Sequence, residues 1–238
     1  MRLLDFSFRS PAKNLALDEV LLDNAGDGEV LRLWESPTPF VVLGVSQVLR
    51  VHVIESACIR DRVPILRRCS AGGCVLQAPG CLNFTLVLQH TGKPEIRTVR
   101  DSYCFILGKL AEALQRRGVH ASHKGVSDLA VGGRKISGNA QKRRRDVVLH
   151  HGTLLYGLDP ELMERYLRDP ADRPQYRGDR SHRGFVASIT LTRDQLKEAI
   201  IEAFGADRSN SRLRPGELRL VSQLVTEKYA LEVWSRRR

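Results

Sequence analysis

Asp128, Lys135 and Ser137 stand where a β-hairpin would gather a carboxylate, an ammonium and a hydroxyl on one surface. Asp128–Val131 reads as a short strand, Gly132-Gly133 as a two-residue turn, and residues 134–137 as the partner strand. A Gly-Gly pair suits a type I′ turn, because both central residues need positive φ. With two residues in the turn, Ala130 faces Lys135 and Asp128 faces Ser137. Strand alternation then puts all four on one side, while Leu129, Val131 and Ile136 take the other side with Arg134. An apolar face for the core leaves a polar face that can receive an anion. The plain alternative is a local Asp128–Lys135 ion pair.

A second candidate lies upstream. Residues 64–68 read as a buried strand ending on two arginines, and Cys69-Ser70-Ala71-Gly72-Gly73-Cys74 follows as a loop of small residues before Val75-Leu76-Gln77. Small residues let backbone N–H groups approach an anion closely, and Arg67 and Arg68 supply countercharge. The alternative is a tight turn beside two solvated arginines. No Gly-Lys-Ser/Thr follows, so this is not a Walker loop, nor is it a dinucleotide fingerprint. A third candidate is the strand at 150–155, which opens with His150-His151. Adjacent strand positions point to opposite faces, so the pair cannot chelate one metal and at most one histidine faces the site. Lys142 to Arg145 form a run of four basic residues, either a solvated loop or one that closes over phosphates or docks an acidic partner.

These groups need a frame. The patterning predicts strands at 3–8, 30–34, 40–43, 64–68, 75–77 and 82–88, besides the hairpin and the 150–155 strand. Helices are predicted from Ser10-Pro11 to about residue 25, at 54–60, over 99–117, at 161–167 behind Asp159-Pro160, over 191–204 between a Thr192 cap and a Gly205 stop, and over 216–229. Residues 169–183 are polar and read as a long surface loop. No repeat or second composition block appears, so residues 1–238 read as one domain.

Composition narrows the classes. With 238 residues the chain can bury a sizeable core, and 38 basic against 27 acidic residues give +11, which favours anionic partners. Arginine dominates that excess and suits bidentate phosphate or carboxylate binding. Five cysteines without a C-x-x-C pair argue against a disulfide framework and a zinc site, and reduced cysteines point to a cytoplasmic protein. No signal peptide opens the chain, and no apolar run approaches the roughly 20 residues that span a bilayer. A nucleic-acid-binding module would use the charge, but no aromatic stacking platform or known motif accompanies it.

In order along the chain, these stretches resemble the lipoate–protein ligases. Residues 67–75 are similar to that family's RR-x-SGGG-A-V signature. Asp128-Leu129 followed by Gly133-Arg134-Lys135-Ile136-Ser137-Gly138-Asn139-Ala140-Gln141 resembles its hairpin, and His151-Gly152-Thr153-Leu154-Leu155 its next strand. Leu15-Ala16-Leu17-Asp18-Glu19, and Gly44 with Gln47, are weaker echoes. The wider superfamily includes octanoyltransferases and biotin–protein ligases. The resemblance implies an α/β (α+β) fold with a mixed, largely antiparallel central sheet flanked by helices. It implies a two-step reaction, in which lipoate or octanoate attacks the α-phosphate of ATP and the acyl group of the adenylate passes to a lysine of an acidic lipoyl domain. The expected cofactors and substrates are ATP, Mg²⁺ and lipoate.

Carried over residue by residue, the resemblance makes Lys135 the catalytic residue, contacting acyl carbonyl and phosphate. It implies binding by Arg67, Arg68, Ser70, Gly72, Gly73, Cys74, Val75 and Gln77 in the loop. From the hairpin and the following strand it adds Asp128, Ser137, Gly138, His151, Gly152 and Thr153, with Asp128 as a magnesium ligand. Three positions depart from the pattern: Ala71 replaces the first glycine, Cys74 stands for alanine and Gln77 for histidine. The chain also lacks the C-terminal accessory domain of two-domain ligases, so a separate subunit supplies it or the enzyme works without it. Octanoyl transfer from acyl carrier protein is the nearest rival. It needs a cysteine nucleophile, and no cysteine follows Cys104, which leaves Cys69, Cys74 and Cys81 as relocated candidates. Biotin ligation is disfavoured, since no GRGRxGR-like loop is present.

Overall fold

The extended runs pair into two sheets of unequal size in the computed structural model, which describes residues 1–170, 172–209 and 211–237. In chain order the strands are β1 (Arg2–Asp5), β2 (Val30–Trp34), β3 (Phe40–Leu43), β4 (Ile65–Arg67), β5 (Val75–Gln77), β6 (Cys81–Gln89), β7 (Ser122–Lys124), β8 (Asp128–Val131), β9 (Arg134–Arg143) and β10 (Val147–Leu155). The large sheet runs β1-β2-β6-β10-β9-β8-β7 and the small one β4-β3-β5. Only β1–β2 and β3–β4 pair in parallel, so the sheets are mixed and largely antiparallel, as expected.

Alternation along β6 explains how one sheet serves both a core and a cleft. Leu82, Phe84, Leu86 and Leu88 enter an apolar cluster with the helices Val99–Gln115 and Arg193–Phe204. Asn83 and Thr85, one residue out of phase, face the opposite side, where the helix Pro11–Asp23 crosses. That helix starts as its sequence predicts, with Ser10 Oγ accepting from the Lys13 N–H at 3.4 Å and Pro11 in the first turn. Thr192 and Gln195 form a capping box at the helix Arg193–Phe204, and Gly205 closes it at φ 60°. A third cluster joins the small sheet to the helices Glu55–Asp61 and Pro160–Tyr166. The last predicted helix is Pro215–Leu224, continued by a wider turn at Val225–Tyr229.

Two expectations need correction and one needs refining. Gly132 and Gly133 do take φ of 55° and 73°, and Ala130 does face Lys135, but the register then shifts by one residue. Asp128 therefore faces Gly138, and Ser137 falls opposite Leu129, fully buried. A bulge of this kind is not encoded in the turn length that sets the expected register. The described residues of 169–183 are largely exposed and irregular, as read, but they are anchored rather than loose. The Arg177 and Arg180 guanidinium groups lie 4.9 and 5.3 Å from the Phe185 ring centroid, and Arg177 is buried with Asp169 at 2.7 Å. Finally, the run from Lys142 ends the β9–β10 hairpin. Arg143 donates to the Ile96 and Arg97 carbonyls and Arg144 pairs with Asp23, so these arginines neither close over the hairpin's polar face nor stand free.

Candidate active site

Several segments meet above the polar face of the large sheet. Chief among them, the helix Pro11–Asp23 brings Leu15 and Asp18, the loop after β4 brings Arg68, Gly72, Gly73 and Cys74, and β6, β9 and β10 line the floor, with Trp34, Val42, Val75 and Gln77 added from β2, β3 and β5. The cleft is narrow, with about 160 Å³ of enclosed volume, below the ~300–1,000 Å³ usual for drug-sized ligands. Leu15, Trp34, Val42, Val75 and Phe84 give it an apolar wall; Arg68, Lys135, His151 and Thr153 give it a polar one. A second groove, lined by Gln47, His52, Arg168, Arg177 and Phe185, opens beside it. The two share Gly73, Cys74, Val75 and Lys135. Lys135 thus stands at their junction.

Two cations define the polar wall. Lys135 Nζ lies 2.7 Å from Asp128 Oδ1, so the ion pair forms, and Asp128 also accepts from the Tyr176 hydroxyl at 2.8 Å. The absence of a side chain at Gly138 makes room, since a Cβ there would sit 2.9 Å from Lys135 Cε and Nζ. Arg68 is buried, and burial lowers its pKa to about 10, which leaves it charged at neutral pH. Its Nε donates to Ser70 Oγ at 2.9 Å and its Nη2 to the Ala71 carbonyl at 2.6 Å. Among the described residues no carboxylate pairs with it. Gly72 takes φ +89°, and a Cβ on it would press within 2.8 Å of the Arg68 guanidinium; Gly73 faces open space. Among the described residues, no protein acceptor takes the N–H of Gly72 or Gly73. The result is a positive, donor-rich concavity.

Behind it runs a relay that the sequence does not disclose. Arg32 Nη1 lies 2.6 Å from Asp18 Oδ1, and Thr85 donates to Asp18 Oδ2 at 2.9 Å. His151 Nδ1 is 3.0 Å from Asp18 Oδ2 and its Nε2 is 2.6 Å from Ser70 Oγ. Arginine can only donate, so Ser70 Oγ accepts from Arg68, and with a neutral imidazole its O–H donates a hydrogen bond to His151 Nε2. His151 Nδ1–H then donates to Asp18. Burial opposes ionisation of Asp18, yet the Arg32 guanidinium and the His151 hydrogen bond together hold its carboxyl below the usual range. Arg32 interrupts an apolar strand, and Asp18 an apolar stretch of helix; a charge where alternation demands an apolar residue was the available signal.

The predicted residues divide accordingly. Arg68, Gly72, Gly73, Cys74, Val75, Gln77, Lys135, Gly138, His151, Gly152 and Thr153 line the cleft. Arg67, Ser70, Asp128 and Ser137 do not and are buried; Ser70, Asp128 and Ser137 hold residues that do, whereas Arg67 turns to carbonyls outside the cleft. Gln77, Thr153 and Asn83 close a ring of hydrogen bonds at 2.9, 2.7 and 2.8 Å. Gly152 admits Asn139, whose Oδ1 would lie 1.8 Å from a Cβ at that position. As a magnesium ligand Asp128 would contribute one carboxylate, and among the described residues no cluster of three His, Cys, Asp or Glu side chains could hold a metal. All five cysteines are free, and burial pushes the thiols of Cys69, Cys74 and Cys81 up to about 12.

Only one of the adjacent histidines reaches the cleft. His150 is buried against Phe84 and Tyr103, with ring centroids 5.9 and 5.4 Å away, and burial depresses its pKa to about 3. The unfolded chain takes up that proton near the ordinary value of about 6.5, so stability should fall as pH drops from about 6.5 toward 3. The expected slope approaches about 1.4 kcal/mol per pH unit. Urea unfolding at a series of pH values checks this, and His150→Gln should flatten the slope.

The chain belongs to the lipoyl protein ligase A/B catalytic domain family, whose pattern matches residues 10–205. It is 32% identical over 204 residues to a Schizosaccharomyces pombe relative provisionally named lipoate–protein ligase A, covering 85% of this chain and 54% of that one. The chain thus spans about half the length of that relative. It is 29% identical to the octanoyltransferase LipM of Kyrpidia tusciae, covering 100% and 98% of the two chains. Its fold matches the bipartite lipoate–protein ligase of Thermoplasma acidophilum, studied with its E2 lipoyl domain, at TM-score 0.87 and 24% identity, covering 99% and 95%. A lipoate–protein ligase A solved with ATP has the same fold, at TM-score 0.85 and 23% identity, covering 99% and 98%. No helix among the described residues is long and apolar enough to cross a membrane.

Proposed function

We propose that this chain activates lipoate, or a similar medium-chain acid, with ATP and transfers the acyl group to a lysine of an acidic lipoyl domain. The observation that carries the reading is the position of Lys135 at the junction of an apolar cleft and a second groove. The acyl chain lies along Leu15, Trp34, Val42 and Phe84, and the nucleotide occupies the neighbouring groove. An acid oxygen attacks the α-phosphorus, and the bond to pyrophosphate breaks with its electron pair on the leaving group. The lysine amine then attacks the acyl carbon, releases AMP and gives up a proton. In both steps charge gathers where Lys135, Arg68 and the open N–H groups of Gly72 and Gly73 point. Bound magnesium would supply further charge neutralisation, and Asp128, held beside Lys135, is the hairpin carboxylate that would assist in holding it.

The reading takes residues 1–238 as one catalytic unit acting in the cytoplasm. Relatives of both activities match, so octanoyl transfer is the second reading. It is disfavoured by the buried, high-pKa thiols of Cys69, Cys74 and Cys81. Incubation with lipoate, ATP and Mg²⁺ should release pyrophosphate and yield an acyl-AMP visible by mass spectrometry. Absence of adenylate, together with a stable octanoyl thioester formed from octanoyl carrier protein, would overturn it.

A further inference from the structure

Arg67 is fully buried, yet it does not face the cleft. Its guanidinium donates to the carbonyls of Gly44 and Gln47 at 2.9 and 2.7 Å on one side. On the other side it donates to those of Trp234, Ser235 and Arg237 at 3.2, 3.1 and 3.0 Å. Trp234 answers with Nε1–H to the Arg67 carbonyl at 2.8 Å. The indole is itself held between Arg237 and Lys228, 3.8 and 4.2 Å from its centroid. Lys228 in turn pairs with Glu19 at 2.6 Å.

The contacts continue toward the cleft. The Val45 N–H donates to the Ser70 carbonyl at 2.8 Å, and the Arg68 N–H to the Leu43 carbonyl at 2.9 Å. Gly44 packs so closely on the other loop that a Cβ on it would lie 2.0 Å from the Gly72 carbonyl oxygen. One guanidinium therefore ties residues 234–237 to the turn after β3, and that turn is the bed on which the Gly72–Gly73 wall rests.

We propose that residues 234–237 act as a strap which, through Arg67, positions the wall carrying Arg68, Gly72 and Gly73; its kinetic consequence rests on the ligase reading. Arg67 and Trp234 are positioning residues, since neither touches the cleft. Nothing in the core depends on the indole N–H, so losing it should loosen the two loops without unfolding the protein. Arginine is required because its planar fork can span carbonyls from two segments, whereas a lysine ammonium presents one point.

Amide hydrogen exchange on the full chain tests the strap without reference to activity. In Trp234→Phe, which keeps an aromatic ring and loses the N–H, exchange of the Val45 and Gln47 amides should rise about tenfold while the sheet stays as in the parent and the unfolding midpoint moves by no more than a few degrees. Arg67→Lys should do the same more strongly. In pyrophosphate release, KM for the acid should rise about tenfold with kcat within about threefold. Unchanged exchange at Val45 and Gln47 in Trp234→Phe, or exchange raised uniformly across the sheet, would overturn the strap. Loosened loops in a protein whose parent makes no adenylate would leave the strap standing and remove the ligase reading.

Discussion

Replacing Lys135 by alanine is expected to lower kcat for adenylate formation about 10²–10³-fold, the usual cost of deleting one preorganised donor aimed at developing charge. The ammonium stands where both compartments meet, and it is the cationic side chain the two share. Its ion pair with Asp128 raises the competing view that it is only a structural partner. The two views predict different outcomes. A structural lysine, with its side chain 27% exposed, contributes on the order of 1 kcal/mol at most to folding, and its loss would leave turnover nearly intact. A catalytic one leaves the unfolding midpoint within a few degrees and removes turnover.

Lys135→Arg sharpens the test. The space over Gly138 is matched to a slender stem, and a branched guanidinium must displace its neighbours there, so charge alone should not restore the rate. Single-turnover kinetics with lipoate and ATP, beside thermal unfolding of both variants, provide the measurement. Alanine and arginine variants both near parental turnover would remove Lys135 from the chemistry.

The parts of this site legible in the sequence are those set by local backbone chemistry. A Gly-Gly turn needs no tertiary information, and the small-residue loop after Arg67-Arg68 announces a close approach by composition alone. Alternation correctly allows only one of His150 and His151 into the cleft. What fails is anything decided by packing between distant segments. Turn length assigns Ser137 to the polar face, and one bulge moves it into the core. Arg67 reads as an anion ligand beside Arg68, because both are arginines after a strand. In a strand they point oppositely, and the partners that claim Arg67 lie 20 to 23 and 167 to 170 residues away. The Asp18–Arg32 pair has the same origin: each is legible only as an oddity until the helix and β2 are placed together.

Disrupting that pair should produce the largest loss of stability in the molecule. Asp18→Asn removes a charge facing a guanidinium with no solvent exposure, and Arg32→Met strands a carboxylate that is almost as deeply buried. Each should cost about 3–5 kcal/mol, because one member of a buried pair is left uncompensated. The double variant should cost clearly less than the sum, since it leaves no orphan charge. Asp18 also carries a pH signature. Its folded pKa is lowered, so its contribution is fully present above the unfolded value near 3.9 and is lost as pH falls through the lower folded value. That window overlaps only the lower end of the range in which His150 acts, and Asp61, held at about 2 by Arg165, titrates there too, so Asp18→Asn should weaken the loss at the lowest pH rather than abolish it. Activity adds an independent reading. His151 keeps its tautomer through Asp18, and the amide oxygen of a substituted asparagine can still accept from Nδ1–H. Asp18→Asn should therefore preserve the Ser70–His151 alignment better than Asp18→Ala. Chemical unfolding of the two single variants and the double, at pH 7 and again below pH 4, decides the matter. Additive losses would show that the two charges do not act as a pair.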